Sequence, residues 1–431
     1  MPTPISRRTV LVSGAAAVGA SALLGAPAAS ATGAAATTST TGHGQRGTLV
    51  TPVAEVLDGG EQVTSLVLSS SALGRVERSS LTAATFAVHV TATNPLTGQV
   101  AYEQDRVVTG AAWTRRGEID LGLEHGFGVN GAGTLQYMGA FGRNVLLELD
   151  HTVTQVEPLR ARGGGQVVLD AFRQGRLSDP EVDAFTYHAT ASGLNYRLFS
   201  PDRRHERKGG RRGVALVVWL HGGGEGGLRT GGYDYYDNEA TLRANRGALG
   251  FATPEAQDLF GGAYVLAPQA TSAWMQDGDG FAPMVLEAIE EVAAAHRIDA
   301  SRVHVVGCSN GGYMSLKMVA EYAGTFATST PICCGIGPRD GSGGYFISDD
   351  ELAAMTTPTW LVASADDTTL DAEDNTVYAH ERIDGSILSL YENVTWDGNT
   401  YPGHWSWIYV ARNDPRHGRK HIWEWMAKTR R

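Results

Sequence analysis

Cysteine is scarce in this chain: Cys308, Cys333 and Cys334 are the three in 431 residues. Three are too few for a disulfide-built scaffold, and no C-x-x-C pair offers a zinc site. One bridge between Cys308 and the Cys333-Cys334 pair stays open, because both places close apolar runs that read as neighbouring strands. Positive charge is also in deficit. With 35 Lys and Arg against 46 Asp and Glu, the formal charge is −11, which argues against a broad nucleic-acid footprint. The one dense basic cluster, RRHERKGGRR at 203–212, reads as a solvated loop. Long apolar runs are missing as well: after the N-terminal segment nothing reaches the length needed to cross a bilayer. The mature chain is therefore expected to be soluble, with no membrane partner. What is present, 42% hydrophobic and 19% charged residues, suits a folded chain with core enough for two or three domains.

The first 31 residues read as an export signal. Arg7 and Arg8 precede an Ala/Gly/Leu run that leads to Ala29-Ser30-Ala31, an A-x-A-like cleavage site. The arginine pair resembles a twin-arginine signal, so the protein is expected to be exported. Residues 32–47, rich in Ala, Thr and Gly, read as a flexible leader. From 48 to 160 the texture is short β-rich runs at 63–68, 85–90 and 144–149, punctuated by Asn94-Pro95, Thr97-Gly98 and Asn130-Gly131. Without helical periodicity, these predict a small β-sandwich.

After Gly163-Gly164-Gly165 the pattern changes to strand–helix alternation, assigned to a catalytic domain at 166–431. The runs VALVVWL (214–220) and AYVLA (263–267) are continuously apolar, as expected of strands buried on both faces of a parallel sheet. Further strands are expected at 303–306, 330–334 and 359–363. Helices are expected at 281–296 and 310–322, with an amphipathic helix at 417–431. Alternation of this kind predicts a doubly wound α/β fold.

Within it lies VHVVGCSNGGYMSLKM (303–318), a strand that ends in Gly307-Cys308-Ser309-Asn310-Gly311 and opens a helix. G-x-S-x-G at a strand-to-helix turn lifts a serine hydroxyl above the sheet edge. Such a hydroxyl needs a base to take its proton, and the base needs an acid to fix its tautomer. The acid should follow the strand at 359–363. Ser364, Asp367 and Leu370 fit the spacing of an acid-bearing turn, which favours Asp367, with Asp366 as the alternative. Of His380, His404, His417 and His421, His404 in PGHWSW (402–407) sits on a glycine-preceded loop and is favoured as base. Upstream, HGGGEGG (221–227) follows a strand and offers backbone N–H groups to an oxyanion. The expected donors are Asn310 and Gly223 or Gly224, with Glu225 either orienting the loop or facing solvent. Trp274-Met275 and Trp405 are candidate pocket residues. Asp277-Gly278-Asp279-Gly280 reads as a turn rather than a calcium loop, and no metal or organic cofactor is expected.

Five blocks carry a family resemblance: WLHGGGEGG (219–227), GGAYVLAPQ (261–269), GCSNGGYM (307–314), DDTTLD (366–371) and GHWSWIY (403–409). The chain resembles exported serine esterases of the α/β-hydrolase fold that carry an N-terminal immunoglobulin-like domain. Those are related to feruloyl esterases, polyhydroxybutyrate depolymerases and prolyl-oligopeptidase-like hydrolases. The resemblance implies Ser309 as nucleophile, Asp367 as acid and His404 as base, and a β-domain packed on the hydrolase domain. The glycine run at 222–224 also resembles the hormone-sensitive-lipase type of oxyanion loop. The expected activity is carboxylic ester hydrolysis through an acyl-enzyme on a soluble or polymeric ester. A prolyl-oligopeptidase-like peptidase, a polyester depolymerase and a non-catalytic binding protein are the alternatives.

Overall fold

The computed structural model describes residues 47–337 and 346–431. The export signal at 1–31 and all but the last residue of the leader lie outside the described residues.

Eight strands form the larger sheet: β1 (Phe185–Ala189), β2 (Asn195–Phe199), β3 (Val214–Leu220), β4 (Ala263–Gln269), β5 (Ile298–Cys308), β6 (Thr328–Ile332), β7 (Trp360–Ser364) and β8 (Ile387–Tyr391). Their spatial order is β1-β2-β4-β3-β5-β6-β7-β8. β2 runs antiparallel to β1 and β4, and the strands from β4 to β8 are mutually parallel. The uninterrupted apolar run of β3 follows from burial on both faces. Leu216, Val218 and Leu220 enter one core, with α1 (Gly278–Ala295) and α2 (Asn310–Glu321). Ala215, Val217 and Trp219 enter the other, with helices Gly247–Ala252, Pro254–Phe260 and Ile422–Lys428. Each such side chain removed from water contributes roughly 1.5–3 kcal/mol, so a polar residue is costly on either face.

The β-rich part has one five-stranded and one three-stranded sheet closing on a shared core that includes Leu66, Leu68, Ile119, Phe86, Val88 and Val153. The first sheet is mixed, because Phe172–Gln174 adds to Thr48–Leu57 in parallel while its other pairs are antiparallel. This moves the boundary read from sequence. Segment 166–174 pairs with the β-rich part, not with the α/β sheet, which begins at Phe185. The run at 144–149 is not one strand. Arg143–Leu146 forms a hairpin with Leu135–Met138, whereas Glu148–Gln155 joins the three-stranded sheet. Between them Leu147 donates its N–H to Thr134 O, in register with the hairpin, so the first pairing runs up to the residue before the second begins.

Two further expectations change. The basic cluster contains a helix, Arg203–Gly209, because Asp202 caps it by accepting from His205 N–H at 2.8 Å. The C-terminal helix covers only Ile422–Lys428, since Arg416–His417 and Lys420–His421 pair as a short hairpin. Asp277 is an N-cap: it accepts from Gly280 N–H at 3.1 Å and starts α1. All three cysteines are buried and unbridged, which closes the disulfide alternative. No helix among the described residues is long and apolar enough to cross a membrane.

Candidate active site

At the carboxyl ends of the parallel strands, loops can converge on one place. Ser309 follows β5 and caps α2 with φ 55° and ψ −113°, a sparsely populated conformation for a non-glycine residue. The glycines on either side have a steric cause. A Cβ at Gly307 would lie 2.3 Å from Gly311 O, and one at Gly311 would lie 2.0 Å from Leu220 O. The turn is pinned to the sheet by Ser309 N–H, which donates to Ile332 O at 2.7 Å.

The imidazole of His404 reaches Ser309 across 95 residues, with Nε2 and Oγ 2.9 Å apart. Its Nδ1 lies 2.7 Å from Asp367 Oδ2. Asp367 is buried after β7, and its other oxygen accepts from the N–H groups of Thr369 and Leu370 at 2.7 and 2.9 Å. Asp366 points elsewhere, accepting the Ser364 hydroxyl at 2.5 Å. His404 lies on a turn, Gly403–Trp405, beyond β8 and the small hairpin of Val394–Trp396 with Asn399–Tyr401. Its ring stands edge-on to Trp407, with centroids 5.7 Å apart. With Asp367 accepting from Nδ1–H, Nε2 is left to accept the serine proton.

The glycine loop after β3 closes the other side. Gly223–Glu225 is a single 3₁₀ turn, and a Cβ at Gly223 would lie 3.9 Å from the Asn310 Cβ. The N–H groups of Gly223 and Gly224 open that turn and that of Asn310 opens α2, where no intrahelical acceptor exists. The side chain of Asn310 is held aside, its Oδ1 accepting from Met275 N–H at 3.1 Å. Beneath the loop, His221 is fully buried, with Nδ1 2.6 Å from Gly222 O and Nε2 accepting from Ala270 N–H at 3.0 Å. Burial pushes its pKa down to about 3, so it braces the loop as a neutral ring.

Of the two pocket tryptophans, Trp274 is a core residue. It is fully buried, packs edge-on against Phe281 and donates from Nε1 to His221 O at 3.0 Å. Its size and the buried polar partner keep it under the loop rather than beside the serine. Trp405 is partly exposed next to His404, packed against Tyr401, Trp407 and Phe127. Three further side chains stand around the site, and of these sequence reading missed Phe127. Met275 and Leu370 both lie against Gly335, whose N–H donates to Ser309 O at 3.3 Å. Phe127, from the β-rich part, is 44% exposed and packs on Tyr401 at 4.5 Å between centroids. An aromatic flanked by Gly126 and Gly128 was the available signal. His380 is engaged by Ser386 Oγ at 2.7 Å, and the exposed His417 and His421 belong to the C-terminal hairpin. Among the described residues no cluster of His, Cys, Asp and Glu suits a metal ion.

A serine on a strained strand-to-helix turn, a histidine and a carboxylate in line, and backbone N–H groups opposite define the α/β-hydrolase fold with a serine-centred site. A crystal structure described as that of a thermostable esterase matches with TM-score 0.70, covering 89% of this chain and 99% of that one at 22% identity. At that identity the likeness shows the fold. Poly(3-hydroxyalkanoate) depolymerase C of Paucimonas lemoignei is 35% identical over 85 residues, 17% of this chain. The chain spans 20% of that relative's length. No family model matches the chain.

Proposed function

We propose that the protein is a serine-dependent carboxylic ester hydrolase in which Ser309, His404 and Asp367 act as a catalytic triad. The observation that carries this reading is the continuous chain of hydrogen-bond distances, 2.9 Å from Ser309 Oγ to His404 Nε2 and 2.7 Å from His404 Nδ1 to Asp367 Oδ2. His404 takes the proton as Ser309 Oγ attacks the ester carbonyl, and Asp367 stabilises the imidazolium that forms. The tetrahedral oxyanion is held by the N–H of Asn310 and those of Gly223 or Gly224. His404 then protonates the departing alcohol, leaving an acyl-enzyme. Water gives a proton to His404 as its oxygen attacks the acyl carbon, and the acid leaves as the bond to Ser309 Oγ breaks and His404 returns the proton to the serine.

The reading includes export through the twin-arginine-like signal at 1–31 and an immunoglobulin-like character for the β-rich part, supported by its two sheets on one core. The substrate is an ester, and neither nucleic acid nor a cofactor enters the scheme. Hydrolysis of a p-nitrophenyl ester series, acetate to long acyl chains, by the wild type and Ser309→Ala tests the proposal. The variant should lose roughly 10⁶-fold in turnover. A wild type inactive on every ester would overturn it.

The local similarity to a poly(3-hydroxyalkanoate) depolymerase favours one second reading, a polyester substrate. Clearing of a polyhydroxyalkanoate suspension by the wild type but not by Ser309→Ala would establish it, and no clearing would exclude it.

A further inference from the structure

The oxyanion loop does not stand on the α/β domain alone. The strand Arg143–Leu146 of the β-rich part packs on the Gly223–Glu225 turn. Glu225, the last residue of that turn, is 8% exposed. Its Oε1 accepts from Asn144 Nδ2 at 3.5 Å, and its backbone carbonyl accepts from Gln269 Nε2 at 2.9 Å. Two residues on, Gly227 O accepts from Arg143 Nε at 3.1 Å. A third tie runs back from the loop, where Tyr235 Oη accepts from Leu146 N–H at 2.9 Å. The fit at Gly224 is close, for a Cβ there would lie 3.0 Å from Asn144 Nδ2 and 3.7 Å from Tyr137 Cε2. The loop is thus clamped between α/β residues on one side and a hairpin from the β-rich part on the other.

We infer that Glu225, met from the β-rich part by Asn144 while Arg143 holds Gly227 of the same loop, is a positioning residue that sets the Gly223 and Gly224 N–H groups, so that the β-rich part completes the oxyanion-binding half of the site. The inference rests on the serine hydrolase reading. Its physical basis is that an oxyanion donor works only when its direction is fixed before charge develops. Loss of one such donor costs on the order of 10²–10³ in kcat, and a donor left in place but free to swing costs a part of that. Burial pushes the Glu225 carboxyl up to about 7, with the Arg143 guanidinium opposing the rise.

The test uses the full chain with Asn144→Ala, Arg143→Ala, Glu225→Ala and Glu225→Gln. The first three should lower kcat by roughly 10–100-fold with KM within about 3-fold, and weaken a trifluoromethyl ketone inhibitor by the same factor. Glu225→Gln, whose amide oxygen still accepts from Asn144, should recover to within about 3-fold of wild type. Thermal melts establish that each variant is folded. If Arg143→Ala is not, Asn144→Ala removes only a partly exposed amide and carries the test. Unchanged kcat and inhibitor affinity in folded variants would overturn the inference, as would a rise confined to KM. Fluorophosphonate labelling of wild-type Ser309 separates the two levels. An unlabelled wild type defeats the serine hydrolase reading itself, whereas a labelled wild type with unaffected variants defeats only the inference.

Discussion

Glu61 and Arg243, 182 residues apart, form an ion pair from which solvent is almost wholly excluded. It joins the first sheet of the β-rich part to a short helix beside β4. Thr134 Oγ1 also donates to Glu61 at 2.6 Å, and Glu239 accepts from Arg243 Nε at 2.5 Å. Nearby, Arg412 holds Asp58 through two nitrogens at 2.9 and 3.0 Å. The two parts are therefore fastened by ion pairs, of which the Glu61–Arg243 pair is desolvated.

Removing Arg243 leaves Glu61 buried without a cation, whereas Arg243 keeps Glu239 when Glu61 is removed. Arg243→Ala should destabilise by about 3–5 kcal/mol, Glu61→Ala by less because Arg243 keeps Glu239, and Glu61→Leu with Arg243→Met together by much less than the sum. Urea unfolding of the four proteins measures this. Additive losses would show that the two side chains do not stabilise each other.

The two neighbouring aspartates should separate cleanly in kinetics. Asp367→Asn should lower kcat by about 10⁴-fold, because an amide in that place favours the wrong imidazole tautomer. Asp366→Asn, whose carboxylate meets Ser364 and not His404, should stay within a few-fold of wild type. Steady-state rates on one p-nitrophenyl ester decide it, and the reverse order would refute the assignment.

The elbow glycines should tolerate nothing larger. A methyl at Gly311 would meet Leu220 O at 2.0 Å and one at Gly307 would meet Gly311 O at 2.3 Å. Both contacts are with backbone that cannot swing away. Gly311→Ala and Gly307→Ala should each lose on the order of 4 kcal/mol or fail to accumulate as folded protein. A melting temperature within a few degrees of wild type would contradict this.

Glu225 should make stability fall as pH rises. Its folded pKa, about 7, lies above the ordinary 4.5. The folded state then holds the proton through a window in which the unfolded chain has released it. Between about pH 4.5 and pH 7 the stability associated with this group is lost, up to about 3 kcal/mol. Glu225→Gln lacks the titration, so its stability relative to wild type should grow between pH 5 and pH 8. Paired thermal melts at the two pH values check the sign, and a constant difference would disprove it.

Thiol chemistry should be silent in the native state. Cys308, Cys333 and Cys334 are buried and unbridged, and burial raises the pKa of each. A chromogenic disulfide reagent should label none of them in buffer and all three in denaturant without reductant. Labelling of one alone in denaturant would reveal a bridge.

Periodicity and turn chemistry made the α/β part legible. The continuous apolar runs at 214–220 and 263–267 can be satisfied only by a strand buried on both faces, and G-x-S-x-G between a strand and a helix names its own turn. Less was legible in the β-rich part, because a strand's partner is a non-local choice. The run at 144–149 reads as one strand, yet its first half pairs with Leu135–Met138 and its second with Phe86–Thr93. Phe172–Gln174 is too short to carry a pattern of its own and takes its place from Thr48–Leu57.

The same division runs through the site. By itself the sequence narrowed the site to Ser309, Asp367 or Asp366, and His404, because the serine and the aspartates follow strands of the parallel sheet and His404 sits on a glycine-preceded loop. Only the tertiary structure decided what surrounds them. Trp274 is drawn under the loop by burial and a hydrogen bond to His221 O. Glu225 is turned inward to Asn144 from a hairpin 81 residues earlier. Local pattern fixes where a backbone turn falls, whereas the direction of a side chain beyond it depends on packing against segments that no local pattern contains.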